Sequence, residues 1–294
     1  MANKKLGVVA IAAATVLLFA GCSSSNTSSD PVSGVKADPA AAALLPAAYQ
    51  DAGIEFASDI PWQPFEYVEN GKTTGLDYDI AQLIAAKLGT TASFKKQSFD
   101  TIIASLQAGK HDAIASDLND TKERQASLDF IDYYKSGSSL IVLAGNPDKI
   151  TDLNSLCGKT VIAEKATSQV GYLQTLSKTC SLTVLELPDA PSAENALRAG
   201  KGVAFMVDSP VAGYTAKTAG AGKYFEVAVD PANPAGYEPA LVGIGVLKEQ
   251  FPELRDAIQA ALASALKDGS YKAVLDKYGL GAGALTKITI NGGN

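Results

Sequence analysis

From Gly53 onward the chain alternates short apolar runs with amphipathic stretches, and that alternation restricts the fold more than any other feature. Strands interleaved with helices produce mainly parallel sheets covered by helices. Ile54 to Ser58 reads as the first strand. Asp77 to Leu88 carries Ile80, Leu83, Ile84 and Leu88 at helical spacing, and Gly89 stands where a glycine relieves left-handed strain beyond the last turn. A strand follows near Ala92 to Lys95. Asp100 caps a helix with Ile102, Ile103 and Leu106 inward, Gly109 ends it, and Ala113 to Ser116 is the next strand. Thr121 caps a further helical turn, and the strand Ser139 to Ala144 is broken by Asn146, Pro147 and Asp148.

The pattern then restarts. Thr160 to Ala163, Thr183 to Leu187, Val203 to Val207 and Phe225 to Val229 read as strands, with helices from about Ser168, Ser192 and Pro210 between them. Leu241 to Val246 is another strand. Pro252 opens a long helix with Leu254, Ile258, Leu262 and Leu266 on one face, and a last helix runs to Tyr278. The GLGAGA run from Gly279 follows a helix instead of a strand and reads as a C-terminal breaker. The expected fold is α/β with two lobes, joined by two crossovers near residues 143–148 and 239–247. A chain of 294 residues with 47% hydrophobic content is long and apolar enough for one large core or two modest ones.

The first residues read as an address. Lys4 and Lys5 precede the apolar run Leu6 to Ala20, and Gly21 ends a signal peptide expected over residues 1–21. The run is too short for a membrane span, which needs about 20 apolar residues. Cys22, directly after Phe19, Ala20 and Gly21, resembles a bacterial lipobox and is expected to be the lipidated first residue of the mature protein. Ser23 to Ala43, rich in Ser, Ala, Asp and Pro, reads as a flexible tether, so residues 22–43 form anchor and spacer. Cys157 and Cys180 remain as an even pair in an oxidising compartment, where a disulfide is favoured. The net charge of −6 becomes −8 once the two signal lysines are removed, so nothing offers the basic surface a nucleic-acid binder uses. One histidine, His111, and three cysteines leave no zinc cluster, and no metal or cofactor is expected.

In open α/β sheets ligands bind outside the carboxyl ends of the strands. That rule selects Asp59 and Trp62 after the first strand, Phe99 after the second, and Ser116, Asp117, Asn119, Thr121 and Arg124 after the third. In the second lobe it selects Glu164, Thr167 and Ser168, then Asp208 with Ser209. The set suits a zwitterion. Arg124 offers a planar fork for a carboxylate, backbone amides near Ser168 add donors to the same anion, and Asp208 holds an ammonium. Trp62 and Phe99 sandwich an aliphatic or cationic side chain. The competing reading makes Arg124 a solvated helix residue, Phe99 a core residue and Asp208 a helix cap before Pro210.

At these residues the chain resembles the family 3 extracellular solute-binding proteins of ABC importers, over about Leu44 to the end. The strongest segment is GLDYDIAQLIAAKLG from Gly75. Supporting it are SDIPWQPFEY from Ser58, SFDTIIASLQAGKHDAIAS from Ser98, DTKERQASLDFIDYYKSGSSLIV from Asp120, VDSPVAGY from Val207 and DGSYKAVLDKYG from Asp268. The resemblance implies a type II periplasmic-binding-protein-like fold whose C-terminal helices return to the first lobe, with residues 44–143 and 247–294 in lobe 1 and 144–246 in lobe 2. It also implies a carboxylate arginine at Arg124, an ammonium aspartate at Asp208, aromatic stackers at Trp62 and Phe99, and an early aspartate at Asp59. Ser116, Asp117 and Asn119 occupy the stretch lining the first-lobe pocket, and Asp117 departs from the family's small hydroxyl residues. Ala166 stands where other members often have glycine. The implied partners are an amino acid ligand, permease subunits of the importer, and the membrane through the lipid anchor, with the protein acting as a monomer.

Asp59, Asp117 and Glu164 are three acids beyond the one an ammonium needs. Buried carboxylates require counter-charge, so the expected ligand is a basic amino acid such as arginine, lysine or ornithine. If Lys165 neutralises Glu164 and Asp117 faces solvent, a neutral polar ligand such as glutamine fits instead. A lyase or dehydratase on the same fold is the alternative from another class, with Glu164 or Asp117 as acid or base. His111, in the turn GKHDAI, reads as a surface residue.

Overall fold

The computed structural model describes residues 32–293. The signal peptide and Cys22 lie outside the described residues. The chain opens with two short helices, α1 (Pro39–Ala42) and α2 (Ala47–Ala52), then β1 (Ile54–Ser58), the hairpin β2 (Tyr67–Glu69) and β3 (Lys72–Thr74), α3 (Leu76–Leu88), β4 (Ala92–Lys96), α4 (Phe99–Gln107) and β5 (Ala113–Ile114). The long strand β6 (Leu128–Leu143) leads to β7 (Thr160–Glu164), α5 (Ser168–Cys180), β8 (Thr183–Leu187), α6 (Ala190–Arg198), β9 (Ala204–Asp208), α7 (Ser209–Thr218) and β10 (Phe225–Ala228). A second long strand, β11 (Tyr237–Leu247), is followed by α8 (Pro252–Asp268), α9 (Ser270–Lys277) and β12 (Ala284–Ile290).

Strand pairing divides this order into two lobes. In the first, β1 lies parallel between β4 and β5, β11 runs antiparallel beside β5, and the first half of β6 pairs with β11 and β12. In the second, β7 lies parallel between β8 and β9, and the last residues of β6 pair with β9 and β10. The same strand serves both lobes: Leu128 to Ser136 of β6 pair with β11, whereas Ser138 to Leu143 pair with β9 or β10. The crossovers therefore lie near Ser136–Ser138 and Tyr237–Ala240, inside the two long strands: the first comes before the expected residues 143–148, and the second meets the start of the expected 239–247. The sequence marks these points only by Gly137 in β6 and by Gly236 and Pro239 at the start of β11, and the strands run on through them. The first half of β6 and all of β12 also exceed the sequence expectation.

Helix α3 shows why the first lobe coheres. Leu76, Ile80, Leu83 and Ile84 are fully buried, each worth about 1.5–3 kcal/mol on removal from water. Helices α1, α8 and α9 cover its other faces, so even Asp77, Asp79 and Lys87 are buried. Lys87 pairs with Asp268, and Asp79 accepts from Lys277 Nζ at 2.6 Å and Tyr278 hydroxyl at 2.8 Å, which fastens the returning C-terminal helices. The expected tether is shorter than residues 22–43. Asp38 caps α1, accepts a hydrogen bond from Ser264 on α8 at 2.6 Å, and precedes the buried Ala41 and Leu45. Alanines in a polar sequence resemble spacer, yet three of them form a turn small enough to lie flat on α8. In the second lobe Cys157 and Cys180 form a disulfide. His111 is not a surface residue: its side chain is 7% exposed, with Nδ1 at 3.3 Å from Glu55.

Candidate functional site

Five loops at the carboxyl ends of the parallel strands meet between the lobes. The loop after β1 carries Asp59 and Trp62, the start of α4 carries Phe99, and the loop after β5 carries Ser116, Asp117 and Asn119. From the second lobe come Glu164 at the end of β7, Thr167 before α5, Gln169 in its first turn, and Asp208 at the end of β9. These ten residues line one enclosed cavity of about 10 Å³, roughly the volume of a single water-sized sphere, so an amino acid enters only when the lobes part.

Of the thirteen strand-end candidates the structure brings nine to that wall, and Thr121 and Ser209 are not part of it. Ser168 and Arg124 stand beside it. Ser168 Oγ donates to Asn119 Oδ1 at 2.6 Å across the cleft. The Arg124 guanidinium lies 5.4 Å over the Phe99 ring and donates to the carbonyls of Asn119 and Ala166, both at 2.9 Å. Ala166 holds φ at 63°, a left-handed conformation that costs an L-residue roughly 1–2 kcal/mol and explains why glycine is at home there. That turn aims its carbonyl at Arg124. At the rim, Tyr67 of the first lobe and Tyr214 of the second have ring centroids 6.0 Å apart. The lobes are closed on each other.

Asp208 precedes Ser209 and Pro210 but makes no side-chain cap to α7. Its Oδ2 instead accepts from Gln169 Nε2 at 3.0 Å, and burial raises its pKa to about 7. Asp117 Oδ2 accepts from the Trp62 indole at 2.9 Å, while its Oδ1 has no hydrogen-bond partner. Burial, with Asp208 and Asp77 nearby, holds Asp117 well above the usual carboxylate range. Asp59 and Glu164 meet from opposite lobes. Burial and contact with Asp59 push Glu164 up to about 10, and burial raises Asp59, partly offset by the hydrogen bond to Glu164. Burial lowers Arg124 to about 10, which leaves it cationic at neutral pH.

Beneath the cavity lies a second set of polar groups. Ser116 Oγ accepts from the Asp59 amide at 2.8 Å and donates to Glu66 Oε1 at 2.7 Å. Asp77 accepts from the Asp117 amide at 2.5 Å and from the Tyr133 hydroxyl. Burial raises Asp77 to about 6 and Glu66 further, and the two carboxyls abut. Sequence reasoning missed Glu66 and Tyr133, read Asp77 only as a helix start, and missed Gln169. A signal existed for two of them: Asp77 shares a helical face with Ile80 and Ile84, and Gln169 shares one with Leu173, so each is a polar residue on an inward stripe.

Residues 54–281 match the model of the bacterial extracellular solute-binding proteins, family 3. The chain belongs to this family. It is 29% identical over 264 residues to the arginine-binding protein ArgT of Corynebacterium glutamicum, covering 86% of this chain and 83% of that one. It is 29% identical over 229 residues to the histidine-binding periplasmic protein of Salmonella typhimurium, covering 76% and 86%. Among solved structures, an ancestral arginine-binding protein bound to arginine superposes with a TM-score of 0.70 at 28% identity, covering 78% of this chain and 98% of that one. The two-lobed type II fold expected from the sequence is therefore the fold of this solute-binding protein, its relatives are binding proteins, and their extracellular or periplasmic setting supports export.

Proposed function

We propose that this protein is the substrate-binding lipoprotein of an ABC importer for a basic amino acid, arginine, lysine or ornithine. The observation that carries the reading is the meeting of Asp59 and Glu164 at one end of the cavity, each supplied by a different lobe. Lys96 offsets the burial of Asp59 only in part, and two buried carboxyls in contact are costly together unless they share a proton or enclose a cation. A ligand's ammonium or guanidinium supplies that cation. The arginine-binding and histidine-binding relatives lend support.

In this reading Asp208 takes the α-ammonium, and Arg124 takes the α-carboxylate with the free amides at the start of α5, where no side chain caps the helix. The contact from Arg124 to the Ala166 carbonyl gives way to the ligand carboxylate. Trp62 and Phe99 flank the side chain. The ligand stabilises the closed form because its full contacts exist only there, and closure signals the permease without chemistry on the ligand. Cys22 anchors the mature protein to the outer face of the membrane.

The test is a melting-temperature titration of the mature protein with all twenty amino acids and ornithine. A shift with arginine, lysine or ornithine and none with glutamate or aspartate is expected; a shift confined to acidic or neutral ligands overturns the basic preference. Arg124→Ala should abolish binding of every amino acid, and Cys22→Ala should move the protein out of the membrane fraction.

A further inference from the structure

The cavity wall is more acidic than a basic amino acid requires. Asp59, Asp117, Glu164 and Asp208 line it, and no lysine or arginine does. The four are arranged as two pairs, Asp117 with Asp208 and Asp59 with Glu164, and each pair takes one residue from either lobe. Asp117 is 4% exposed, and its Oδ1 has no partner although it belongs to the wall. Glu164 is 2% exposed, and its Oε2 has no donor among the described residues beyond what the neighbouring Asp59 carboxyl offers by sharing a proton. An unpartnered buried carboxylate oxygen costs free energy until a donor arrives.

The one guanidinium nearby is engaged. Arg124 closes the cleft by donating to Asn119 and Ala166 carbonyls, and a ligand carboxylate must displace the second of these. A ligand with two cations and no carboxylate leaves that cross-lobe bond in place, brings no negative charge into an acidic wall, and touches both lobes at both ends.

We propose that the same cavity takes aliphatic dications that carry no carboxylate, diamines and guanidinoamines, with one cation between Asp117 and Asp208 and the other between Asp59 and Glu164. The inference rests on the cavity being the ligand site and departs from the amino-acid reading in making the α-carboxylate dispensable. Asp117 becomes a specificity-determining residue, since a second carboxyl at the ammonium end replaces the attraction lost with the ligand's own carboxylate.

The experiment is calorimetric titration of the mature protein, followed in parallel by the fluorescence of Trp62, the one tryptophan in the chain, with putrescine, cadaverine, agmatine, pentylamine, L-lysine and L-arginine. At least one dication should bind within about tenfold of the better amino acid, and pentylamine, with one cation, about 100-fold more weakly. Asp117→Asn, which keeps shape and tolerates the left-handed backbone, should weaken the dication about tenfold or more without lowering the melting temperature, and Glu164→Gln should do the same. Amino-acid binding with no response to any dication overturns this inference and leaves the proposed function standing. Dication binding without amino-acid binding does the reverse. Equal affinity for pentylamine and the dications, or unchanged dication affinity in Asp117→Asn, overturns the paired-carboxyl arrangement, and silence from every compound overturns both readings.

Discussion

Two pairs of buried carboxyls lie close together in this protein and do opposite things. Glu66 and Asp77 both belong to the first lobe, and Ser116, Tyr133 and the Asp117 amide supply them with donors. Asp59 and Glu164 belong to different lobes; the Phe99 amide and Lys96 act on Asp59, but Glu164 Oε2 has no hydrogen-bond partner. The first pair persists whether the lobes are open or closed and fixes the loop that presents Asp117. The second takes one acid from each lobe, so in the proposed reading its demand for a cation is coupled to closure. Burial alone does not mark a functional acid; what marks it is whether the protein itself provides the donors.

Substitutions should separate the pairs. Asp77→Ala leaves the Tyr133 hydroxyl and the Asp117 amide without an acceptor, and urea unfolding should show a loss of about 3–5 kcal/mol. Asp59→Ala should cost less than about 1 kcal/mol of ligand-free stability while weakening a basic ligand about 100-fold. Equal stability losses in the two variants would erase the distinction. Tyr67→Ala removes only the contact with Tyr214 at the rim; an aromatic pair is worth about 0.5–1.5 kcal/mol, so affinity should fall roughly threefold to tenfold with selectivity unchanged.

Stability should respond to pH as well. These acids are raised in the folded protein, Asp77 to about 6, Asp208 to about 7 and Glu164 to about 10. The folded state therefore keeps protons that the unfolded chain releases from the ordinary carboxylate range upward. The contribution of these acids to ligand-free stability is greatest below that range and falls as pH rises through each folded value. The melting temperature of the ligand-free protein should therefore drop between pH 5 and 8. Glu164→Gln should remove part of that slope, and a saturating basic ligand should do so as well.

Much of the second-lobe secondary structure was legible because short parallel strands are bounded by helix caps and breakers: Thr183–Leu187 matches residue for residue. The first crossover was not, since β6 changes partner in mid-strand, where backbone hydrogen bonding continues without a turn. Nor was the docking of Ala41, whose small side chain carries no periodic signal.

The amino-acid sequence by itself determined the family, the order of strands and helices, and which loops stand at strand ends, because periodicity and punctuation are local properties. Only the tertiary structure decided which polar residues share a wall, that Arg124 spends two donors on carbonyls, that Gln169 serves Asp208, and that two acids more than a hundred residues apart in sequence, Asp59 and Glu164, meet. Those are distances between lobes, and no local pattern encodes the distance between residues that only closure brings together.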